Sequence, residues 1–294
     1  MWWSTLVGRL EGAGALDPLT AAAGQVVDRV LPKGPLKDAL HGTWLGHPVH
    51  PLLVAVPIGL WTGTTLLDLT GGSRSAARRL VGAGVLAAAP SVAAGWADWS
   101  ELGTFERPKR VGLVHAAANA VTTAVYAASW VARARGDHGR GRDLALAGSL
   151  GLAVGGYLGG HLAYSEGVGV NRNADEQPEP TTWTDACDAA DLAPGQLLRV
   201  EVGEQQVVLV ERGGQVFAMS ATCSHLGGPL EQGEVVPGDR DGDGDGDGAC
   251  LVCPWHESRF RLRDGGVARG PATSPQRAYD VRTAGGRLQV RVRR

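Results

Sequence analysis

Two short segments carry side chains whose types and spacing could do chemistry: Cys223-Ser224-His225 and Cys253-Pro254-Trp255-His256. Each supplies one thiolate and one imidazole. Thiolate sulfur binds zinc or the iron of an iron–sulfur centre, and imidazole suits both metals. A Cys2His2 zinc site is the simpler use, but zinc fingers usually pair cysteine with cysteine and histidine with histidine. One of each per loop suits a two-iron centre, with thiolates on one iron and imidazoles on the other. Cys250 reads as a strand residue leading into Cys253, and Cys187 has no motif around it. No secretory or twin-arginine leader precedes the first apolar run, so a disulfide framework is not expected.

The elements that must position these loops are short and alternating. From residue 195 onward, 197–202, 205–212, 215–221, 257–263, 277–283 and 287–293 alternate apolar and polar positions between glycine-rich turns. Six such strands predict a small all-β antiparallel sandwich or barrel with its function in the loops.

The composition changes near residue 170. A net charge of −2 and a mean hydropathy of −0.06 suit a soluble protein, but they average over four apolar runs at 51–69, 80–97, 111–132 and 144–165. Each is roughly long enough to span a bilayer, and Asp68 alone is charged within them. Short charged connections and tryptophans near the ends (Trp44, Trp61, Trp96, Trp99, Trp130) favour a four-helix transmembrane bundle over a buried soluble one. Four spans would place His47, His50, His115 and His161, with Asp98, at the membrane face that also holds the second half.

Imidazoles near hydrocarbon are costly and mark a candidate site. One reading is a b-type haem held between His115 and His161, with His50 close by. The others are another metal, a quinone-type site, or a hydrogen-bonded network with Asp98 or Asn119. Gly151, Gly155 and Gly159 share a helical face that admits a close neighbour, most simply another helix. Residues 171–184 are polar, acidic and proline-punctuated, as in a linker. The expected organisation is multidomain: an N-terminal segment (1–40), a four-span membrane domain (41–170), a linker (171–189) and the β domain (190–294).

Two resemblances follow from these residues. LGHPVHPLLVAVPIG, GWADW, VHAAANA and GGHLAYSEGVGV resemble a bacterial predicted membrane domain of unknown function, family 2231, over roughly 40–170. CSHLGGPL and LVCPWHESRFRLRDGGVARGPATSPQRAYDV resemble the Rieske ferredoxin family, over 190–294. That resemblance implies a [2Fe–2S] cluster with Cys223 and Cys253 on the buried iron and His225 and His256 on the exposed one. Leu226, Pro254, Trp255, Ser258 and Phe260 would surround it, shielded by the loop 270–275. Respiratory Rieske proteins carry an extra cysteine in each loop, and Gly228 and Trp255 stand there instead. Phe260 replaces a tyrosine of the high-potential group. The expected potential is therefore in the lower part of a range of about −150 to +300 mV.

The insertion GDRDGDGDGDGA (238–249) mimics the start of a calcium loop at Asp239, Asp241, Asp243 and Gly244, but its twelfth position is Cys250 rather than glutamate. It reads as a solvated acidic segment. A Rieske oxygenase needs a second iron on two histidines and a carboxylate. No histidine follows His256, which excludes that active site here. One-electron transfer with a redox partner protein (a reductase, an oxygenase or a respiratory component) is the expected activity. The alternatives are a redox or iron sensor and a ferredoxin-like domain that the helices merely anchor. Nothing points to nucleic acid. Loop arginines slightly favour an external β domain, whereas cluster insertion in the cytoplasm favours the cytoplasmic face of a bacterial inner membrane.

Overall fold

The computed structural model describes residues 2–174, 180–238 and 248–293. The chain divides into two compact units: residues 1–40 with 48–168, and residues 41–47 with 169–294.

The first unit is helical. Three shorter helices, α1 (Trp2–Glu11), α2 (Asp17–Val30) and α3 (Pro35–His41), precede four long ones, α4 (Val49–Leu69), α5 (Arg74–Ser100), α6 (Glu106–Ala134) and α7 (His138–Tyr164). Helix α4 packs on α5, α5 on α6, α6 on α7 and α7 back on α4. The turns between α4 and α5 and between α6 and α7 are built alike. Gly71 (φ 71°) and Gly136 (φ 87°) adopt the left-handed conformation that ends each helix. Ser73 and Asp137 then cap the next, accepting from the backbone N–H of Ala76 and Arg140.

The interior holds aromatic and charged pairs between α4 and α6. Trp61 stacks on Tyr126 with centroids 4.2 Å apart. The Arg133 guanidinium donates to both Asp68 oxygens, at 3.0 and 2.5 Å, with both side chains buried.

Three helices, α4, α5 and α6, are long and apolar enough to cross a membrane. The expected four-helix transmembrane bundle is thereby reduced to a helical region with three candidate spans among the described residues. Helix α7 is equally long, but its glycines add little hydropathy and its first turns carry Arg140, Arg142 and Asp143.

The second unit is all-β. Strands β1 (Thr184–Asp188), β2 (Leu197–Val202), β3 (Gln205–Arg212), β4 (Gln215–Ser220), β9 (Ala278–Ala284) and β10 (Arg287–Val292) form one antiparallel sheet in the order β1-β10-β9-β4-β3-β2. A second sheet runs β5 (Glu234–Val236), β6 (Cys250–Val252), β7 (Arg259–Arg261) and β8 (Val267–Arg269). Alternation along β3 divides the core. Val208 and Val210 pack with Leu251 and Phe260 from the second sheet and with Leu262 just after it, while Val207 and Leu209 pack with Tyr279, Leu288 and Val290.

Strand β1 pairs with β10 inside the stretch expected to be linker, so that segment orders before residue 189. Residues 41–47 cluster with this unit, the turn Thr43–Leu45 lying against β8. The calcium-like positions Asp239, Asp241, Asp243 and Gly244 lie outside the described residues.

Candidate metal centre

The two cysteine loops leave different sheets. Cys223 follows β4 and Cys253 follows β6 directly. They trace the same backbone path. The N–H of each cysteine donates to the carbonyl five residues on, Cys223 to Gly228 (2.8 Å) and Cys253 to Ser258 (2.9 Å). Each cysteine carbonyl accepts from the N–H four residues on, that of Gly227 (2.9 Å) and that of Glu257 (3.0 Å). That fourth residue is left-handed in both loops, Gly227 at φ 82° and Glu257 at φ 65°. Glu257 is the one non-glycine residue with positive φ among those described.

This path aims backbone donors at sulfur. The N–H groups of His225 and Leu226 point at Cys223 Sγ, and those of Trp255 and His256 at Cys253 Sγ. The two thiols lie within hydrogen-bonding reach of each other, are buried, and form no disulfide. One therefore carries charge at the other's expense. The hydrogen bond to Cys223 and the loop N–H groups push Cys253 down to about 7, while the same neighbour and burial hold Cys223 well above the usual thiol range.

The imidazoles of the two loops meet each other. His225 and His256 have ring centroids 5.0 Å apart and nearly perpendicular planes. The outer edge of His225 is part-exposed, but its Nδ1 is buried with no hydrogen-bond partner. Burial, and then the charges of His256, His41 and Arg172, push His225 down to about 3, so the ring is neutral. A neutral imidazole with an unpartnered buried nitrogen, on a loop whose thiol receives backbone N–H groups, fits a thiolate–imidazole iron–sulfur cluster. An unpaired buried polar atom is otherwise costly.

The surrounding residues have distinct positions. Ser258 is fully buried, and its Oγ accepts from the N–H of Ala272 at 2.9 Å. Ser224 Oγ donates to the Ser274 carbonyl at 2.7 Å. Both ligand loops are thus stitched to the 270–275 loop. Phe260 is fully buried in the core that also contains both cysteines. Leu226 is half-buried, whereas Pro254 and Trp255 face solvent. A Cβ placed on Gly228 would lie 3.1 Å from Trp255 Cγ, so the two positions where other Rieske proteins carry cysteines are neighbours here.

Three contributors were not legible in the sequence. Buried Gln276 accepts from Ser224 N–H (2.8 Å) and donates to the Thr222 carbonyl (3.1 Å). Arg172 donates its backbone N–H to the Ser224 carbonyl (3.0 Å). His41 is buried within electrostatic range of His225. Arg172 and His41 lie outside the quoted motifs, and Gln276, though inside one, has no donor or acceptor pattern to single it out.

In the helical unit the histidines separate. His161 Nε2 lies 2.8 Å from Glu11 Oε1, in a group completed by Arg107 and Glu166. His115 instead meets Asn119 and the Gly155 carbonyl, with His50 near enough for a charge on one to be felt at the other. His115 and His161, expected to face each other, have separate partners.

Residues 182–282 match the Rieske [2Fe-2S] domain, and residues 46–172 match a family described as predicted membrane protein (DUF2231). The ferredoxin component of biphenyl 2,3-dioxygenase from Rhodococcus jostii (strain RHA1) is 32% identical over 102 residues, which are 35% of this chain and 85% of that protein. The anthranilate 1,2-dioxygenase ferredoxin subunit of Burkholderia cepacia is 30% identical over 31% of this chain and 73% of its own length. Among solved structures, the ferredoxin of carbazole 1,9a-dioxygenase from Nocardioides aromaticivorans IC177 is similar at 28% identity, covering 38% of this chain and 99% of that one, with a TM-score of 0.32. By the match of residues 182–282 and the 32% identity to the biphenyl 2,3-dioxygenase ferredoxin component over 85% of that protein, the chain belongs to the Rieske [2Fe–2S] family, this domain joined to an N-terminal predicted membrane domain.

Proposed function

We propose that Cys223, His225, Cys253 and His256 hold the [2Fe–2S] cluster, cysteines on one iron and histidines on the other, in a one-electron carrier tethered to a membrane by its helical unit. The unpartnered Nδ1 of His225, on the loop of one of the paired thiols, carries this reading. The cluster supplies reversible uptake of one electron.

The chain's own residues do the rest. Backbone N–H groups of both loops stabilise negative charge on the sulfurs, and the core around Phe260 keeps water from them. Pro254 and Trp255 present an exposed apolar tip beside His256, where a partner would approach. The relatives named as dioxygenase ferredoxins support an oxygenase or reductase as that partner, and the domain is assigned to the cytoplasmic face.

Purified full-length protein should contain two irons and two sulfides per chain and give a dithionite-reduced EPR signal with histidine nitrogen couplings. Cys253→Ser should abolish that signal. Stoichiometric zinc, or an iron signal without nitrogen coupling, would overturn the assignment. A reporter fused to the C-terminus tests the face.

A further inference from the structure

The helical unit is built from one hairpin used twice. His50, Trp61 and Asp68 on α4 stand 65 positions before His115, Tyr126 and Arg133 on α6. Two of these three pairs are direct partners, the 4.2 Å ring stack and the Asp68–Arg133 ion pair. The antiparallel helices repeat with an offset of 64. Gly84 and Gly95 on α5 correspond to Gly148 and Gly159 on α7, and each lies under the matching ring: Trp61 on Gly84, His50 on Gly95, Tyr126 on Gly148, His115 on Gly159. The offset drops by one within the turn. Left-handed Gly71 and Gly136 are 65 apart, while the caps Ser73 and Asp137 are 64 apart. Such spacing makes α4–α5 and α6–α7 related by a pseudo-twofold axis, as in parallel internal repeats.

The histidines occupy equivalent places about that axis. His50 Nδ1 lies 2.8 Å from the Ser91 carbonyl and His115 Nδ1 lies 3.0 Å from the Gly155 carbonyl. Ser91 and Gly155 are themselves 64 positions apart. A carbonyl only accepts, so each ring carries its proton on Nδ1 and its lone pair on Nε2. His50 Nε2 has no partner among the described residues. Near His115 Nε2 stands the Asn119 amide (3.2 Å), which is better satisfied by the His115 carbonyl (2.9 Å). A ring nitrogen tied to a backbone carbonyl, with the other left basic, is the arrangement that orients histidine for a metal.

We propose that His50 and His115 are the two axial ligands of a haem-class cofactor held between the repeated hairpins. The chemistry of the donors narrows the occupant. Two lone pairs do not hydrogen-bond a quinone carbonyl, which needs donors. A bare divalent ion on two neutral imidazoles would bring uncompensated charge among apolar helices, whereas the porphyrin dianion neutralises ferrous iron. His161, engaged with Glu11, is not part of this site. The assignment does not depend on the cluster reading.

The test uses the full chain expressed with haem precursor and extracted in detergent. Wild type is expected to show a Soret band, one haem per chain by pyridine haemochrome and a low-spin EPR spectrum. Either His50→Gly or His115→Gly should lower haem content more than tenfold or turn it high-spin, with added imidazole restoring the low-spin spectrum. His161→Gln should leave it unchanged. Cluster absorption in the same samples reports folding, so its absence would count against the electron-carrier reading and not against this one. Wild type that takes up no haem from hemin titration, porphyrin-free metal bound at these histidines, or haem that survives both substitutions would overturn the proposal.

Discussion

Replacing Ser258 by alanine should separate two roles of one hydroxyl. Ser258 Oγ is fully buried and accepts from Ala272 N–H at 2.9 Å. Its own proton meets no acceptor among the described residues and is free to point at the cluster. Alanine strands the Ala272 N–H, a cost of about 1–3 kcal/mol. For a unit of this size that lowers the unfolding midpoint by roughly 4–11 °C. If the hydroxyl favours the reduced cluster by about 1 kcal/mol, its loss lowers the midpoint potential by roughly 40 mV, from the one-electron relation of 59 mV per tenfold.

Ser224→Ala is the matched control, because Ser224 spends its proton on the Ser274 carbonyl. It should cost stability and leave the potential within about 10 mV, a shift far below one hydrogen bond. Spectropotentiometric titration and melting followed by cluster absorbance, on the same full-length samples, read both quantities. A Ser258→Ala potential that matches wild type would refute the free-proton reasoning, and an unchanged midpoint temperature would refute the buried hydrogen bond.

Three further outcomes are expected. Glu257→Gly should stabilise the cluster domain by about 0.5–1 kcal/mol, since glycine relieves the left-handed strain at φ 65° while giving back some backbone entropy; denaturant melts check the sign. Asp68→Asn should destabilise the helical unit by about 3–5 kcal/mol by leaving buried Arg133 unpaired, whereas Asp68→Leu with Arg133→Met should cost far less, as read by thermal circular dichroism. Hydrogen bonds from Arg291 and Arg293 hold the Asp280 carboxyl below the usual carboxylate range. Its contribution is present above the unfolded value, near 3.8, and fades as pH falls through the lower folded value; Asp280→Asn should flatten that part of an acid titration, and an unchanged profile would show the pairs to be screened.

The chemistry was the most legible part of the sequence, because Cys-x-His and Cys-x-x-His state their donors outright. So were the strands long enough to show alternation, β2, β3, β4, β9 and β10. Strands β5, β6 and β8 have three residues each, too few for a period of two to register. The matched path of the ligand loops was hidden because Glu257 does not advertise a left-handed backbone as Gly227 does. The role of Ser224 has no sequence signal, because its acceptor, the Ser274 carbonyl, lies fifty positions away. In the helical unit, four runs are apolar by residue type, but the mean hydropathy of the last is lowered by its glycines and by the charged first turns of its helix. The repeat is faint in the sequence because identity is kept at only a few spaced positions, the histidines and glycines, while others keep only a ring or a cap: Trp61 with Tyr126, Ser73 with Asp137.

Because the ligand loops leave different sheets, a bound cluster is also a cross-link between them. It closes a chain loop of about 30 residues, for which the loop-closure model gives roughly 3–4 kcal/mol of stabilisation through the unfolded state. The Asp-Gly insertion lies inside that loop. Closure entropy grows only with the logarithm of length, so a dozen extra residues there cost roughly half a kcal/mol. A long acidic segment can therefore be carried between the two halves of the ligand set with little thermodynamic burden.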